Sequence, residues 1–190
     1  MQIREMTAEQ AYEVYRKNFP EAFPPAELRP WRNILAMIRQ GRYVCYGGYT
    51  DDGSVQCCAF FIRAGGVYLM DYLMTVPQSR GGGWGSRFLK ELLDGPFAQA
   101  VILGEVEAPD KGPEDEIRRR RLAFYERNRF VQTCVKCCLY EVEYRIIAFH
   151  LPRELEGERL IDKLKAIYTE LLGTARYTRW VRLWCEDPDK

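Results

Sequence analysis

Apolar residues recur along the chain with two periodicities, one typical of helices and one of strands, and these predict helices alternating with strands. Residues 8–19 have helical spacing, and Thr7 with Gln10 three residues later forms a capping box that opens the helix. Pro20 is expected to end it. A second helix is expected over residues 25–40, with a proline near its start.

Segments rich in β-branched and aromatic residues predict the strands. One of them, residues 67–76, is almost wholly apolar, which is typical of a central strand covered on both faces. Strands are expected at 43–49, 55–62, 67–76, 100–108, 130–142 and 144–151, and further helices at 86–93, 117–128 and 155–172. The order predicts an α/β fold with a mixed, mostly antiparallel central sheet flanked by helices. We expect one domain over residues 1–190, with residues 152–190 as a C-terminal helical extension packing on it.

Composition excludes several classes of protein. Among 190 residues there are 28 Lys plus Arg and 27 Asp plus Glu, so no net charge attracts nucleic acid or a membrane surface. The chain has no run of 18 apolar residues, and residues 1–5 lack an apolar signal core. We therefore expect a cytoplasmic protein with no nucleic-acid or membrane partner. Its seven cysteines are expected to be reduced and mainly buried.

The segment C-V-K-C-C contains a CxxC spacing at Cys134 and Cys137. A structural zinc site needs four ligands, and Cys57, Cys58 and His150 do not stand at zinc-ribbon spacings. A strand over this segment would also direct Cys134 and Cys137 to opposite faces. We expect no metal here.

A glycine-rich loop, V-P-Q-S-R-G-G-G-W-G-S at residues 76–86, joins the most apolar strand to a helix. Glycines let the backbone turn sharply, and the following helix adds unpaired N–H donors and the positive end of its dipole. Arg80 adds a permanent charge. These features favour a phosphate or pyrophosphate site, although a purely structural strand-to-helix turn would use the same glycines.

Two nucleotide-binding motifs are excluded at this loop. It lacks the lysine of a P-loop, and Phe88 stands where the last glycine of a dinucleotide fingerprint belongs. The pattern R-x-x-G-x-G, made by Arg80, Gly83 and Gly85 after an apolar strand, resembles the GNAT superfamily of N-acetyltransferases. The predicted order of elements over residues 1–151 is similar to that superfamily too.

A second segment, R-L-A-F-Y-E-R-N-R-F at residues 121–130, resembles the family's helix motif F-Y-x-x-x-G-F. Arg129 replaces the usual glycine, a departure that would alter the turn from helix to strand. The resemblance implies that the amine attacks the thioester of acetyl-CoA directly, with no cysteine nucleophile and no metal. It also implies that the acetyl-CoA arm lies between two splayed strands, with an N–H at Met74 or its neighbour stabilising the oxyanion. The implied cosubstrate-binding residues are Met74, Thr75, Val76, Arg80, Gly81, Gly82, Gly83, Trp84, Gly85 and Ser86.

The resemblance also assigns acid and base roles. Tyr125 is the expected general acid for the leaving thiolate, or else a core tyrosine. Glu107 is preferred as general base over Asp71, and Glu105 shares the face of Glu107. For each carboxylate the alternative is an ion pair with an arginine, such as one in residues 118–121.

The acceptor is expected to be a small-molecule amine. Acidic residues near one strand end would attract a cation or would simply be solvated. Aromatic residues within 19–31, including Phe23 and Trp31, are candidates for the acceptor wall. The other function kept open is a non-catalytic acyl-CoA sensor or interaction module, and a homodimer is also allowed for. The acidic residues are Glu105, Glu107, Asp110, Glu114, Asp115 and Glu116.

Overall fold

The structure is a computed structural model that describes residues 1–109 and 112–186. The chain divides into two compact units, each described here by itself. The first contains residues 1–63 and 68–98, and the second contains residues 64–67 and the chain from residue 99 onward. The expected single domain with its extension at residues 152–190 stays a prediction.

The first unit is an antiparallel meander covered by helices. Its strands follow the order β1-β2-β3-β4, with Gln2 opposite Tyr49 and Tyr43 opposite Ile62. Phe19, Phe60 and Phe61 are fully buried in its core. Its elements are β1 (Gln2–Glu5), α1 (Ala8–Ala22), α2 (Trp31–Arg39), β2 (Tyr43–Tyr49), β3 (Val55–Ala64), β4 (Val67–Thr75) and α3 (Trp84–Asp94).

Two helix predictions in this unit need correction. The capping box of Thr7 and Gln10 is present, but α1 continues through Pro20. The proline removes one hydrogen bond near the helix end, and the buried ring of Phe19 supplies packing that outweighs this loss. The predicted helix over residues 25–40 is instead a short 3₁₀ turn, Pro25–Glu27, followed by α2. Pro30 explains the break, because it biases the preceding residue away from helical geometry.

The second unit is an antiparallel sheet with helices. Its strands follow the order β5-β7-β6-β8, with Glu107 opposite Tyr144 and Val135 opposite Cys185. The chain turns from β6 to β7 at Tyr140 and Glu141, which both have positive φ and end the predicted strand 130–142 early. Its elements are β5 (Ile102–Glu107), α4 (Asp115–Arg127), β6 (Val131–Leu139), β7 (Val142–Phe149), α5 (Glu158–Leu172), α6 (Thr174–Trp180) and β8 (Val181–Cys185).

The expected α/β class with mostly antiparallel strands and C-terminal helices is confirmed. α6 and β8 were not predicted. The cysteine expectation is wrong at two positions, because Cys134 and Cys185 form a disulfide, while five cysteines are free and buried. Among the helices of the described residues, none is long and apolar enough to cross a membrane.

Candidate active-site residues

The glycine-rich loop of the first unit turns sharply out of β4 and into α3. A 3₁₀ turn, Pro77–Ser79, follows the strand, and Gly81 and Gly83 then adopt φ of 83° and 71°. A non-glycine residue rarely takes this left-handed conformation, so the two glycines are what the turn requires. Gly83 is also the N-cap residue of α3, and no side chain caps the helix. The N-terminus of α3 is therefore open to an anion.

The backbone donors of this loop are unpaired. Within the described residues, the N–H groups of Gly81, Gly82, Gly83, Trp84 and Gly85 meet no hydrogen-bond acceptor. A Cβ built on Gly81 or Gly83 would touch nothing within 4 Å, so open space lies above the turn. Unpaired donors around open space fit a phosphate or pyrophosphate group.

Cations stand at the rim of the loop. Arg80 is exposed and forms no ion pair with any residue that the structure describes. Arg87 lies one turn into α3, with its guanidinium 5.7 Å from the centre of the Trp84 ring. Sequence reasoning missed Arg87, although its position one helical turn after Gly83 was a usable signal. Two fixed positive charges at the N-terminus of α3 add to the attraction for a phosphate.

The loop is tied back to β3 through Gln56, which sequence reasoning also missed. The Val76 N–H donates to the Gln56 carbonyl oxygen at 2.9 Å. The Ser79 hydroxyl donates to the Gln56 side-chain oxygen. Gln56 therefore fixes both ends of the 3₁₀ turn that precedes the glycines.

Asp71 is part of a half-buried polar cluster in the first unit. Arg29 binds its carboxylate with Nε and Nη2, both at 3.1 Å, and the Tyr43 hydroxyl donates to Oδ2 at 2.6 Å. Burial alone would lower the pKa of Arg29, but the Asp71 charge outweighs it and raises that pKa. The Tyr72 hydroxyl accepts from the Arg29 N–H at 2.7 Å and donates to the Glu27 carbonyl oxygen at 2.8 Å. Asp71 thereby holds the segment between α1 and α2 against β4.

Glu107 in the second unit is also paired with an arginine. Arg118 of α4 donates from Nε to Glu107 Oε2 at 2.6 Å, and the two side chains are 20% and 19% exposed. Glu107 Oε1 accepts no hydrogen bond from the part of the chain that the structure describes. Both base candidates are therefore ion-paired, which is the alternative that the sequence left open, but Glu107 keeps one carboxylate oxygen available.

Tyr125 lies half-buried on α4, with its ring edge-on to Phe124 and Phe130. Burial raises the pKa of its hydroxyl to about 12, against a smaller opposing effect of the Arg121 charge. Among the described residues, that hydroxyl has no hydrogen-bond partner. The phenol is thus protonated at neutral pH and has its proton available to donate.

The turn after α4 has the left-handed backbone conformation typical of glycine, although the residue there is Arg129. Arg129 has φ of 74°, and its guanidinium lies 5.0 Å from the centre of the Phe149 ring. The backbone therefore bends as a glycine would allow, and the arginine bears the cost of a left-handed conformation.

The remaining residues singled out in the sequence have contacts of their own. Glu105 accepts a hydrogen bond from the hydroxyl of Tyr168, a buried residue of α5 that sequence reasoning did not identify. His150 stacks on Phe149 at the end of β7, as expected of a strand-end residue. Asp115 pairs with Arg119 at 2.7 Å, so part of the acidic cluster is neutralised. Asp110 lies outside the described residues.

Solved structures of other proteins share the fold of this chain. A protein from Bacteroides thetaiotaomicron, described as an acetyltransferase of the GNAT family, superposes with a TM-score of 0.71 at 23% identity, covering 92% of this chain and 99% of that one. This chain has the GNAT fold. The ribosomal-protein-S18-alanine N-acetyltransferase of Escherichia coli has a TM-score of 0.56 at 18% identity, covering 78% of this chain and 92% of that one.

A third GNAT-fold structure contains ligands. Spermidine N-acetyltransferase from Vibrio cholerae, in complex with CoA and spermine, has a TM-score of 0.58 at 10% identity, covering 78% of this chain and 94% of that one. No family model matches the sequence. An uncharacterized protein of Dictyostelium discoideum is 38% identical over 86 residues, which is 44% of this chain but only 18% of that protein.

Proposed function

We propose that this chain is an N-acetyltransferase that moves the acetyl group of acetyl-CoA directly to an amine, and that the amine is a small molecule. The observation that carries the proposal is the loop at residues 80–85. Its N–H groups from Gly81 to Gly85 have no acceptor among the described residues, and it opens α3 in a chain with the GNAT fold. Open space also lies above Gly53 in the β2–β3 turn, so the proposal rests on the run of N–H donors and on the arginines beside them.

The residues of the first unit fit a CoA phosphate. The proposed cosubstrate-binding residues are Met74, Thr75, Val76, Arg80, Gly81, Gly82, Gly83, Trp84, Gly85 and Ser86. When bound, acetyl-CoA supplies an acetyl group activated as a thioester. In this proposal the loop holds the phosphates, Arg80 and Arg87 neutralise their charge, and the backbone N–H at Met74 or its neighbour donates to the carbonyl oxygen of the acetyl group.

The second unit carries the proposed proton-transfer groups. Tyr125 donates a proton to the leaving thiolate; in support, its hydroxyl has no hydrogen-bond partner in residues 1–109 and 112–186. Glu107 accepts a proton from the attacking amine through Oε1, while Arg118 fixes the other oxygen. Asp71 is the weaker candidate because Arg29 and Tyr43 together occupy both of its carboxylate oxygens.

Two observations support an amine as the acceptor. The Vibrio cholerae enzyme of the same fold was solved with spermine, which supports an amine as acceptor here. Glu116, in the first turn of α4, is an acidic residue that would favour a cationic molecule. We therefore place polyamines in the first group of acceptors to be tested, beside amino acids and a peptide with a free N-terminus.

The test is the release of free CoA from acetyl-CoA in the presence of each amine, followed by chromatography because the protein has its own thiols. Release that requires both an amine and the acetyl-CoA supports the proposal. Acetyl-CoA binding without turnover for any amine would instead favour the second function, a non-catalytic sensor. The ion pairs at Glu107 and Asp71 are the observation that keeps this alternative in view.

A further inference from the structure

Cys134 and Cys185 lie on neighbouring strands at the edge of the second unit's sheet. Their strands, β6 and β8, are antiparallel neighbours, with Val135 opposite Cys185. The two cysteine Cα atoms are 5.0 Å apart and the sulphurs are bonded to each other. This separation lies within the range at which two cysteines can be bridged without moving the backbone.

Exposure separates these two cysteines from the other five. Cys134 is exposed and Cys185 is half-buried, whereas Cys45, Cys57, Cys58, Cys137 and Cys138 are buried. Burial raises the pKa of the Cys57 thiol to about 11 and that of Cys137 to about 12, so neither forms appreciable thiolate at neutral pH. Thiol chemistry in solution is therefore directed to the strand edge.

A cleft gives small molecules access to the pair. It has a volume of about 770 Å³ and is lined by both cysteines together with Thr133, Leu151 and Glu186. Lys136 and Arg145 both bind the carboxylate of Glu186, so two cations also stand at this end of the strands. The thiolate is the form of a cysteine that attacks a disulfide.

We propose that Cys134 and Cys185 form a thiol-modification site that exchanges reversibly with low-molecular-weight disulfides. The exposed Cys134 thiolate attacks one sulphur of the small disulfide, forming a mixed disulfide and expelling one thiolate. The Cys185 thiolate then attacks the Cys134 sulphur, closing the bridge and expelling the second thiolate. Two protons leave the protein thiols and two small thiols form, so the protein is oxidised by two electrons and the small disulfide is reduced by two.

The bridge has a structural consequence that does not depend on acetyl transfer. β8 is the edge strand of the second unit and pairs only with β6 in the described part of the chain. Closing a link between residues 51 positions apart restricts the unfolded chain and fastens β8 in place. The oxidised protein should therefore melt roughly 5–15 °C above the reduced one.

The experiment starts from the fully reduced 190-residue chain, treated with oxidised glutathione without denaturant. We expect the protein to lose the mass of two hydrogen atoms and the free thiols to fall from seven to five. Peptide mapping should then find Cys134 linked to Cys185. Cys134→Ser and Cys185→Ser should each prevent this loss, and the exposed thiol left in Cys185→Ser should retain one glutathionyl group.

Cys58→Ala, a change at a fully buried cysteine, is the matched control and should oxidise as the wild type does. An unchanged thiol count after treatment overturns the proposal. A bridge mapped to any other pair of cysteines overturns it equally, and both outcomes are read on the wild-type protein without relying on a variant.

Discussion

Glu107 of β5 and Arg118 of α4 form an ion pair in which the arginine reaches only one carboxylate oxygen, at 2.6 Å. The other oxygen has no hydrogen-bond partner among the described residues. Arg118 thereby fixes the direction of the carboxylate while leaving one oxygen able to accept a proton. This arrangement is the basis for ranking Glu107 above Asp71 as the general base.

Glu107→Gln should lower turnover by about 100-fold or more and flatten the acid limb of the pH–rate profile, because the amide cannot accept the proton. The dissociation constant of acetyl-CoA should change little. A pH–rate profile of kcat for both proteins checks this. An unchanged acid limb in the variant would return Glu107 to a purely structural ion pair.

Asp71→Asn should act mainly on stability. It leaves the half-buried Arg29 without its counter-charge, which costs about 2–3 kcal/mol in the free energy of unfolding. Urea denaturation measures the change, and Glu13→Gln is the control, since its ion pair with Arg16 is exposed and should contribute under about 1 kcal/mol. A stable Asp71→Asn protein that loses turnover would make Asp71 the base instead.

Tyr125→Phe keeps the ring between Phe124 and Phe130 but removes the proton of the proposed general acid. Turnover should fall by about 100-fold, with acetyl-CoA affinity unchanged. Because burial raises the pKa of Tyr125 to about 12, the hydroxyl stays protonated from pH 6 to pH 9, and we expect the ratio of the two rates to be constant over that range. Equal turnover of the two proteins would assign Tyr125 to packing.

Arg129 offers a test of backbone strain. Arg129→Gly and Arg129→Ala both remove the contact with Phe149, but only glycine relieves the positive φ. The glycine variant should therefore be more stable than the alanine variant by about 1–2 kcal/mol. Thermal denaturation should separate them by several degrees, and equal melting temperatures would mean that the turn relaxes in solution.

The parts predicted correctly from the sequence are governed by neighbouring residues. The capping box at Thr7 depends on Gln10 three positions away, and the glycine loop depends on φ values that few other residues adopt. The prediction of one helix over residues 25–40 was wrong because it did not take account of Pro30, where the helix is interrupted. The β6–β7 turn was predicted too late in the chain, after residue 142, because Tyr140 and Glu141 take positive φ without the usual glycine or asparagine.

Partner choice over long separations was not predictable. Arg29 and Asp71 are 42 positions apart, and Glu105 and Tyr168 are 63 apart. Local patterns of apolar and polar residues specify which face a side chain occupies, but not which charged residue reaches it after folding. The same reason explains why arginines were named only as alternatives for Glu107 and Asp71.

Acetyl-CoA affinity of Gly83→Val, measured by calorimetry beside the wild type, tests the central claim most directly. Valine strains a backbone at φ 71° and fills the space above the loop, so affinity should fall roughly 5- to 150-fold. Gly53→Val is the matched control: its φ is 83° with equally open space, but it lies in the β2–β3 turn, so it should lose stability and keep wild-type affinity. If Gly83→Val binds acetyl-CoA as tightly as Gly53→Val does, the loop is not the phosphate site and the account is contradicted.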